Sequence, residues 1–352
     1  MKTSFPNCNE SVEAEEKNNR GKLTIHRREF IKTVGKAAVG VTLAPLLHLT
    51  PATEARGPNE PAEKMVKVLY DNLTPEQQSI VLLPWNDKRR LRVENNWRVV
   101  PQRIADIYSK TQQETIDAIL RGVTNEVGYE KLMRAMKDDS GGLGNYSACL
   151  FHTGDKGETT PSRLAFLLTG RHQTLRADGG TEKNAVFGGP IFYGHAVEFN
   201  ERPDHPGNVW WHQARLASKV FSALDEKQRK LALVQGTSPE DSPACIRLKG
   251  ENGQFSGIPI SELSPDQKTL VESVMRGLLE PYRQSDVDEA FLAIKANGGL
   301  EAVHLSFYQD GDLPDENGIW DRWKIEGPTL AWYFRGSPHV HTWVNVKHKV
   351  DS

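Results

Sequence analysis

The sequence predicts an α+β fold made of an internally duplicated unit. Each half runs through helices first and a small antiparallel sheet second, and the two halves form one pseudo-symmetric domain. Three observations predict it. Helix-start signals recur at Thr74-Pro75-Glu76-Gln77, at Asp225 with Gln228, and at Ser264-Pro265-Asp266-Gln267, where a short polar side chain caps the first turn and a glutamine reaches back. Glycine stops recur, with Ala135 to Leu143 echoed by Ala293 to Leu300, and Leu120-Arg121-Gly122 by Met275-Arg276-Gly277. Alternating apolar runs follow these stops in both halves, which is the period of a half-buried strand.

In chain order, Val68 to Gln77 reads as helix, turn, helix and is matched by Val220 to Gln228. The Gly141-Gly142 and Gly298-Gly299 pairs suit helix C-caps, since the left-handed residue after a helix is most often glycine. Strands are expected over Tyr146 to His152 and Arg163 to Leu168, then over Ala302 to Tyr308 and Trp323 to Trp332. Gly170 and Gly327 fall at equivalent places between strands. Gly189-Pro190 and Ser337-Pro338 then turn the chain into a last alternating run in each half, Val340 to Val346 in the second. The polar stretch Gly236 to Gly257 reads as a loop before the helix that starts at Ser264.

At 352 residues, with 44 Lys and Arg against 46 Asp and Glu, the chain is long enough to bury a large core and carries no basic excess. Nucleic acid is therefore not expected as a partner. The three cysteines, Cys8, Cys149 and Cys245, form no CxxC pair, which sets aside zinc ribbons and thioredoxin-like redox chemistry. Whether Cys149 and Cys245 bridge is left open. Neither G-x-S-x-G, a phosphate-cradling G-x-x-x-x-G-K-[ST], a G-x-G-x-x-G after a strand, nor H-E-x-x-H occurs.

Thr24-Ile25-His26-Arg27-Arg28-Glu29-Phe30 precedes a mildly apolar stretch from Ala37 to Leu49 that is too short to span a bilayer as a helix. This segment resembles a twin-arginine signal peptide, with a small-residue cleavage site near Ala55. The resemblance implies an exported, periplasmic or extracellular protein with no stable membrane span after processing, and the twin-arginine translocation machinery as a partner during export. The expected organisation is a signal peptide over 1–55, a linker over 56–61, the first half over 62–199, a connector over 200–212, the second half over 213–346 and a tail over 347–352.

Pro84-Trp85-Asn86-Asp87, Arg89-Arg90, Asn95-Asn96-Trp97 through Pro101, Gly170-Arg171-His172, Glu326-Gly327-Pro328-Thr329 and His339-Val340-His341 follow one another across nearly all of the chain beyond the signal. In that order they resemble the uncharacterised family called domain of unknown function 3500. The resemblance implies a fold unit rather than a reaction. The chain departs from the family pattern at Arg171, where members commonly carry the first of two histidines. It departs again at Trp332-Tyr333-Phe334, which lacks acidic residues beside the tyrosine, and after the paired histidines, where no Arg-Asp follows.

His339 and His341 are two apart on an alternating run, so a strand there would project both imidazoles from one face. His172 follows Gly170 at the end of the matching first-half strand. Three histidines with one open position suit zinc, copper or iron, and His195, in Tyr193-Gly194-His195, is a candidate fourth ligand or proton carrier. Arg171, Arg90 and Trp97 are the candidate substrate contacts, since guanidinium and aromatic groups in a Pro-bounded loop can hold an anion or a sugar. Two functions follow from these residues. One is an exported metal-dependent hydrolase or oxidoreductase; the other is a non-catalytic extracytoplasmic binding or structural protein whose histidines only support the sheet.

Overall fold

Helices begin where the capping signals stand and stop at the glycine pairs, because those residues satisfy the backbone groups that a helix end leaves unbonded. The computed structural model describes residues 61–154, 161–178, 181–182, 184–195, 209–239, 242–309, 320, 322–336 and 339–350. The signal peptide, Cys8, the linker before Pro61, His205 and most of the 200–212 connector lie outside the described residues. The first half comprises α1 (Pro61–Asp71), α2 (Pro75–Val81), β1 (Leu82–Pro84), α3 (Ile104–Ile107), α4 (Lys110–Val123) and α5 (Glu126–Ser140), then β2 (Ser147–His152), β3 (Leu164–Gly170), β4 (Gln173–Ala177) and β5 (Ile191–His195). The second half comprises α6 (His212–Ala223), α7 (Glu226–Ala232), β6 (Leu233–Val234), α8 (Ser242–Ile246), β7 (Ile258–Pro259), α9 (Pro265–Leu279) and α10 (Gln284–Ala296). Strands β8 (His304–Tyr308), β9 (Arg322–Gly327), β10 (Leu330–Arg335) and β11 (Val340–Val346) complete it.

Reciprocal capping boxes form at Thr74/Gln77, Asp225/Gln228 and Ser264/Gln267, and a further one at Ser109/Gln112. The capping glutamines do a second job. Gln77 Nε2 donates to Gln112 Oε1 at 2.8 Å, and Gln228 Nε2 to Gln267 Oε1 at 3.1 Å, so each half ties two helix starts together. Gly141 and Gly298 adopt left-handed backbone, φ 80° and 97°, after α5 and α10. Helix α4 buries Ile116, Ile119, Leu120 and Val123, and α9 buries Val271, Val274, Met275 and Leu278, each a stripe at helical spacing.

The strands differ from expectation in two respects. Instead of one small antiparallel sheet per half, all eleven belong to one mixed sheet, in the order β1-β2-β3-β4-β5-β11-β10-β9-β8-β6, with β7 beside β8. Its terminal pairs, β1 with β2 and β6 with β8, are parallel, and the rest are antiparallel. The last strands of the halves, β5 and β11, pair at the middle with Ile191 opposite Val344. Each of those strands alone would leave a row of backbone groups unbonded, and joining them removes both edges. The alternating run expected from Trp323 to Trp332 is broken at Pro328-Thr329, giving the β9–β10 hairpin.

Both faces of the sheet are covered. Ile191, Tyr193 and Val344 belong to the larger core, which most of the helices share. Phe192 and Trp343, alternating with them, join Val93, Cys245, Tyr308 and Tyr333 in a smaller core on the other side. Cys149 and Cys245 are both buried, one in each core, and do not bridge. Among the described residues no helix is long and apolar enough to cross a membrane.

Candidate metal centre

The β3–β4 hairpin has a two-residue tip, Arg171-His172, with Gly170 opposite Gln173. His172 takes a left-handed φ of 56°, which costs a non-glycine residue about 1–2 kcal/mol. Three contacts hold it there. His172 N–H donates to Asn95 C=O at 2.8 Å and His172 C=O accepts from Gly194 N–H at 3.0 Å, while the Asp139 carboxylate lies 2.9 Å from Nδ1. Since an ionised carboxylate only accepts, Nδ1 carries the proton and Nε2 turns a lone pair outward.

That lone pair meets two more imidazoles. His172 Nε2 lies 3.1 Å from His339 Nε2, which lies 2.9 Å from His341 Nε2, and one ligand atom from each of the three falls within 4.8 Å of the others. His341 is on β11, whereas His339 stands one residue before the strand, so strand period alone does not account for the approach of the two rings. Burial, reinforced by His172 and the Arg335 guanidinium, holds the His339 imidazole down to about 3. Burial likewise holds His341 well below the usual histidine range, with Arg335 the next cause. Both are neutral at pH 7, as metal ligation requires. Tetrahedral zinc–nitrogen bonds of about 2.05 Å place ligand atoms roughly 3.3 Å apart, so the His172–His339 and His339–His341 spacings need to open by only a few tenths of an ångström, and the third pair lies within 4.8 Å.

Gly194 makes this convergence possible. It lies opposite His341 across β5 and β11. A Cβ there would sit 2.3 Å from Val340 C=O, 3.3 Å from the His341 ring and 3.4 Å from the His172 ring. On the same face Arg335 lies opposite His341, and its Nη2 donates to His341 Nε2 at 3.1 Å. Phe192 stacks edge-on against His341 at 5.2 Å and closes the apolar side.

The other residues singled out from the sequence separate into two groups. His195 ends β5, fully buried, with Nε2 3.6 Å from the Asp138 carboxylate; burial lowers its affinity for protons, and it is not among the three converging ligands. Arg171 stands beside His172 with its side chain 40% exposed and Nε 4.0 Å from Asp139. Arg90 and Trp97 engage other partners. Arg90 donates to Trp85 C=O, pairs with Glu182 and covers the Trp85 ring, and the buried Trp97 indole donates to Thr174 Oγ1. Their loop reaches the site through its backbone instead, at Asn95 and at the Asn96–Arg171 bridge.

Sequence reasoning missed Asp139, Gly194 and Arg335. Asp138 and Asp139 end α5, where the helix dipole disfavours negative charge, and an acidic pair in that position signals a nearby proton donor. Arg335 was within reach too, because it stands six residues before His341, on the other side of Ser337-Pro338 in the sequence.

The family model described as protein of unknown function (DUF3500) matches residues 56–349. The chain is a member of the DUF3500 family. No curated protein and no solved structure matches this DUF3500 chain.

Proposed function

We propose that this DUF3500 chain is an exported metal-dependent enzyme, a hydrolase or an oxidoreductase, in which His172, His339 and His341 ligate a divalent zinc, copper or iron ion. The observation that carries this reading is the approach of three Nε2 atoms, two of them 2.9 Å apart, with a buried carboxylate behind His172. A carboxylate behind a ligating histidine orients the ring and raises its basicity. Three histidines leave one position for water or substrate, where the ion acts as a Lewis acid or, for iron and copper, as a redox centre. Elemental analysis of the natively exported protein is expected to find about one ion per chain. His339→Ala and His341→Ala should each abolish it while leaving a cooperative thermal transition. Wild-type protein that stays free of metal after incubation with zinc, iron and copper salts would overturn the proposal.

The 2.9 and 3.1 Å spacings are also hydrogen-bond distances, which favours a second reading: a non-catalytic extracytoplasmic binding or structural protein with a histidine chain bracing the sheet. The same metal measurement separates the two.

We further propose that the halves, 62–199 and 213–346, are copies of one duplicated unit. The sheet order that reads alike from either end and the two glutamine pairs support this. Residues 1–55 are proposed to direct export by the twin-arginine route. Arg27→Lys with Arg28→Lys should leave unprocessed precursor in the cytoplasm, and normal processing of that variant would refute the route.

A further inference from the structure

A row of directly opposed residues crosses the sheet at the histidines. Arg322 on β9 faces Arg335 on β10, Arg335 faces His341 on β11, and His341 faces Gly194 on β5. Directly opposed residues share a sheet face and lie about 5 Å apart at Cβ, so the Arg335 guanidinium flanks the trio on one side, while Arg322, one strand farther out, donates to Ser238 Oγ at 3.3 Å. Arg171 approaches from the other, next to His172, and both Arg335 and Arg171 act electrostatically on the His339 imidazole. The trio is therefore rimmed by cationic groups, and the Asp139 carboxylate is turned toward the back of His172.

Arg335 Nη2 donates into the His341 Nε2 lone pair, the lone pair a metal ion would use. An ion bound by the three imidazoles displaces that donor and leaves a guanidinium beside a divalent cation. The repulsion is relieved when an anionic oxygen stands between them, coordinating the ion on one side and accepting from the guanidinium on the other. We infer that the fourth position takes a small oxyanion, a carboxylate or phosphate group of the substrate, seated between the ion and Arg335 with Arg171 as a second contact. This rests on the metal reading of the site.

Cobalt(II)-loaded protein tests it, because the visible bands of cobalt respond to a change of ligand. Titration with acetate and, separately, with inorganic phosphate should shift those bands, and the tighter of the two names the class. Arg335→Gln should weaken the tighter anion by roughly tenfold or more, as loss of a charge-assisted hydrogen bond does, while cobalt content is retained. Arg171→Gln, at the half-exposed rim, should weaken it by a smaller factor and serves if the Arg335 variant does not fold. Bands unmoved by both anions, or unchanged anion affinity in a cobalt-loaded Arg335→Gln or Arg171→Gln protein, would overturn the inference and leave the metal reading standing. Wild-type protein that takes up no cobalt would remove both.

Discussion

The tips of the β3–β4 and β9–β10 hairpins are built alike and carry different loads. Each has a two-residue loop after a glycine, Arg171-His172 after Gly170 and Pro328-Thr329 after Gly327. Each ties the carbonyl of its second residue to a backbone N–H of the neighbouring chain, His172 to Gly194 at 3.0 Å and Thr329 to Lys347 at 2.9 Å. Yet positive φ occurs at His172 and not at Thr329, and a buried carboxylate waits behind His172 alone of the two. The strain sits where the imidazoles meet. In the second half the proline ring restricts the loop, so the same hairpin closes without strain.

The largest effect expected from breaking this contrast is at Gly194. Gly194→Ala sets a Cβ against Val340 C=O, and since backbone cannot swing aside as a side-chain end does, β5 and β11 must part. A loss of about 2–4 kcal/mol in denaturant unfolding is expected, with loss of bound metal. Gly277→Ala meets only the tip of the Leu216 side chain and should cost about 1 kcal/mol or less; equal losses would show that Gly194 has no special place in the seam.

Asp139→Asn comes next. It keeps the volume and removes the charge behind His172, and should weaken metal binding about 10- to 100-fold in competition with a chelator. Unchanged affinity would mean that Asp139 serves the hairpin and not the ion. Gln112→Ala and Gln267→Ala probe instead what the halves share. Each removes one capping box and one glutamine pair, so each should lower stability by about 1–2 kcal/mol without altering metal content. A large disparity between them would break the likeness of the halves.

The smallest effect lies at the contact between the halves, where Glu280 accepts from His212 at 2.6 Å and pairs with Lys131. The His212 hydrogen bond, aided by Lys131, lowers the Glu280 carboxyl to about 2 from 4.5. A carboxyl depressed on folding contributes stability that is fully present above its unfolded value and is lost as pH falls from there through the folded value. Glu280 should therefore lose its contribution between about pH 4.5 and 2. The group is partly exposed, so solvent screening keeps the effect small. Glu280→Gln should flatten the pH dependence of Tm in that window; an unchanged slope would place the acid sensitivity elsewhere.

Much of this was legible because it is local. A threonine, aspartate or serine followed three residues later by glutamine caps a helix wherever it occurs, so the starts of α2, α7 and α9 were readable from four residues each. Gly-Gly stops and alternating runs located α5, α10 and most strands for the same reason. His339 and His341, two apart just after a proline, were likewise visible as a pair, and membership of the DUF3500 family is a property of the sequence. Only the tertiary structure decided that β5 and β11 join the halves into one sheet, and that His172 meets a histidine 167 positions away. It alone placed Asp139 behind His172, and turned Arg90 and Trp97 toward Trp85, Glu182 and Thr174. Capping and strand period are set by neighbours a few bonds apart, whereas strand partners and ring convergence depend on which edges close on each other, and short-range pattern carries no record of that choice.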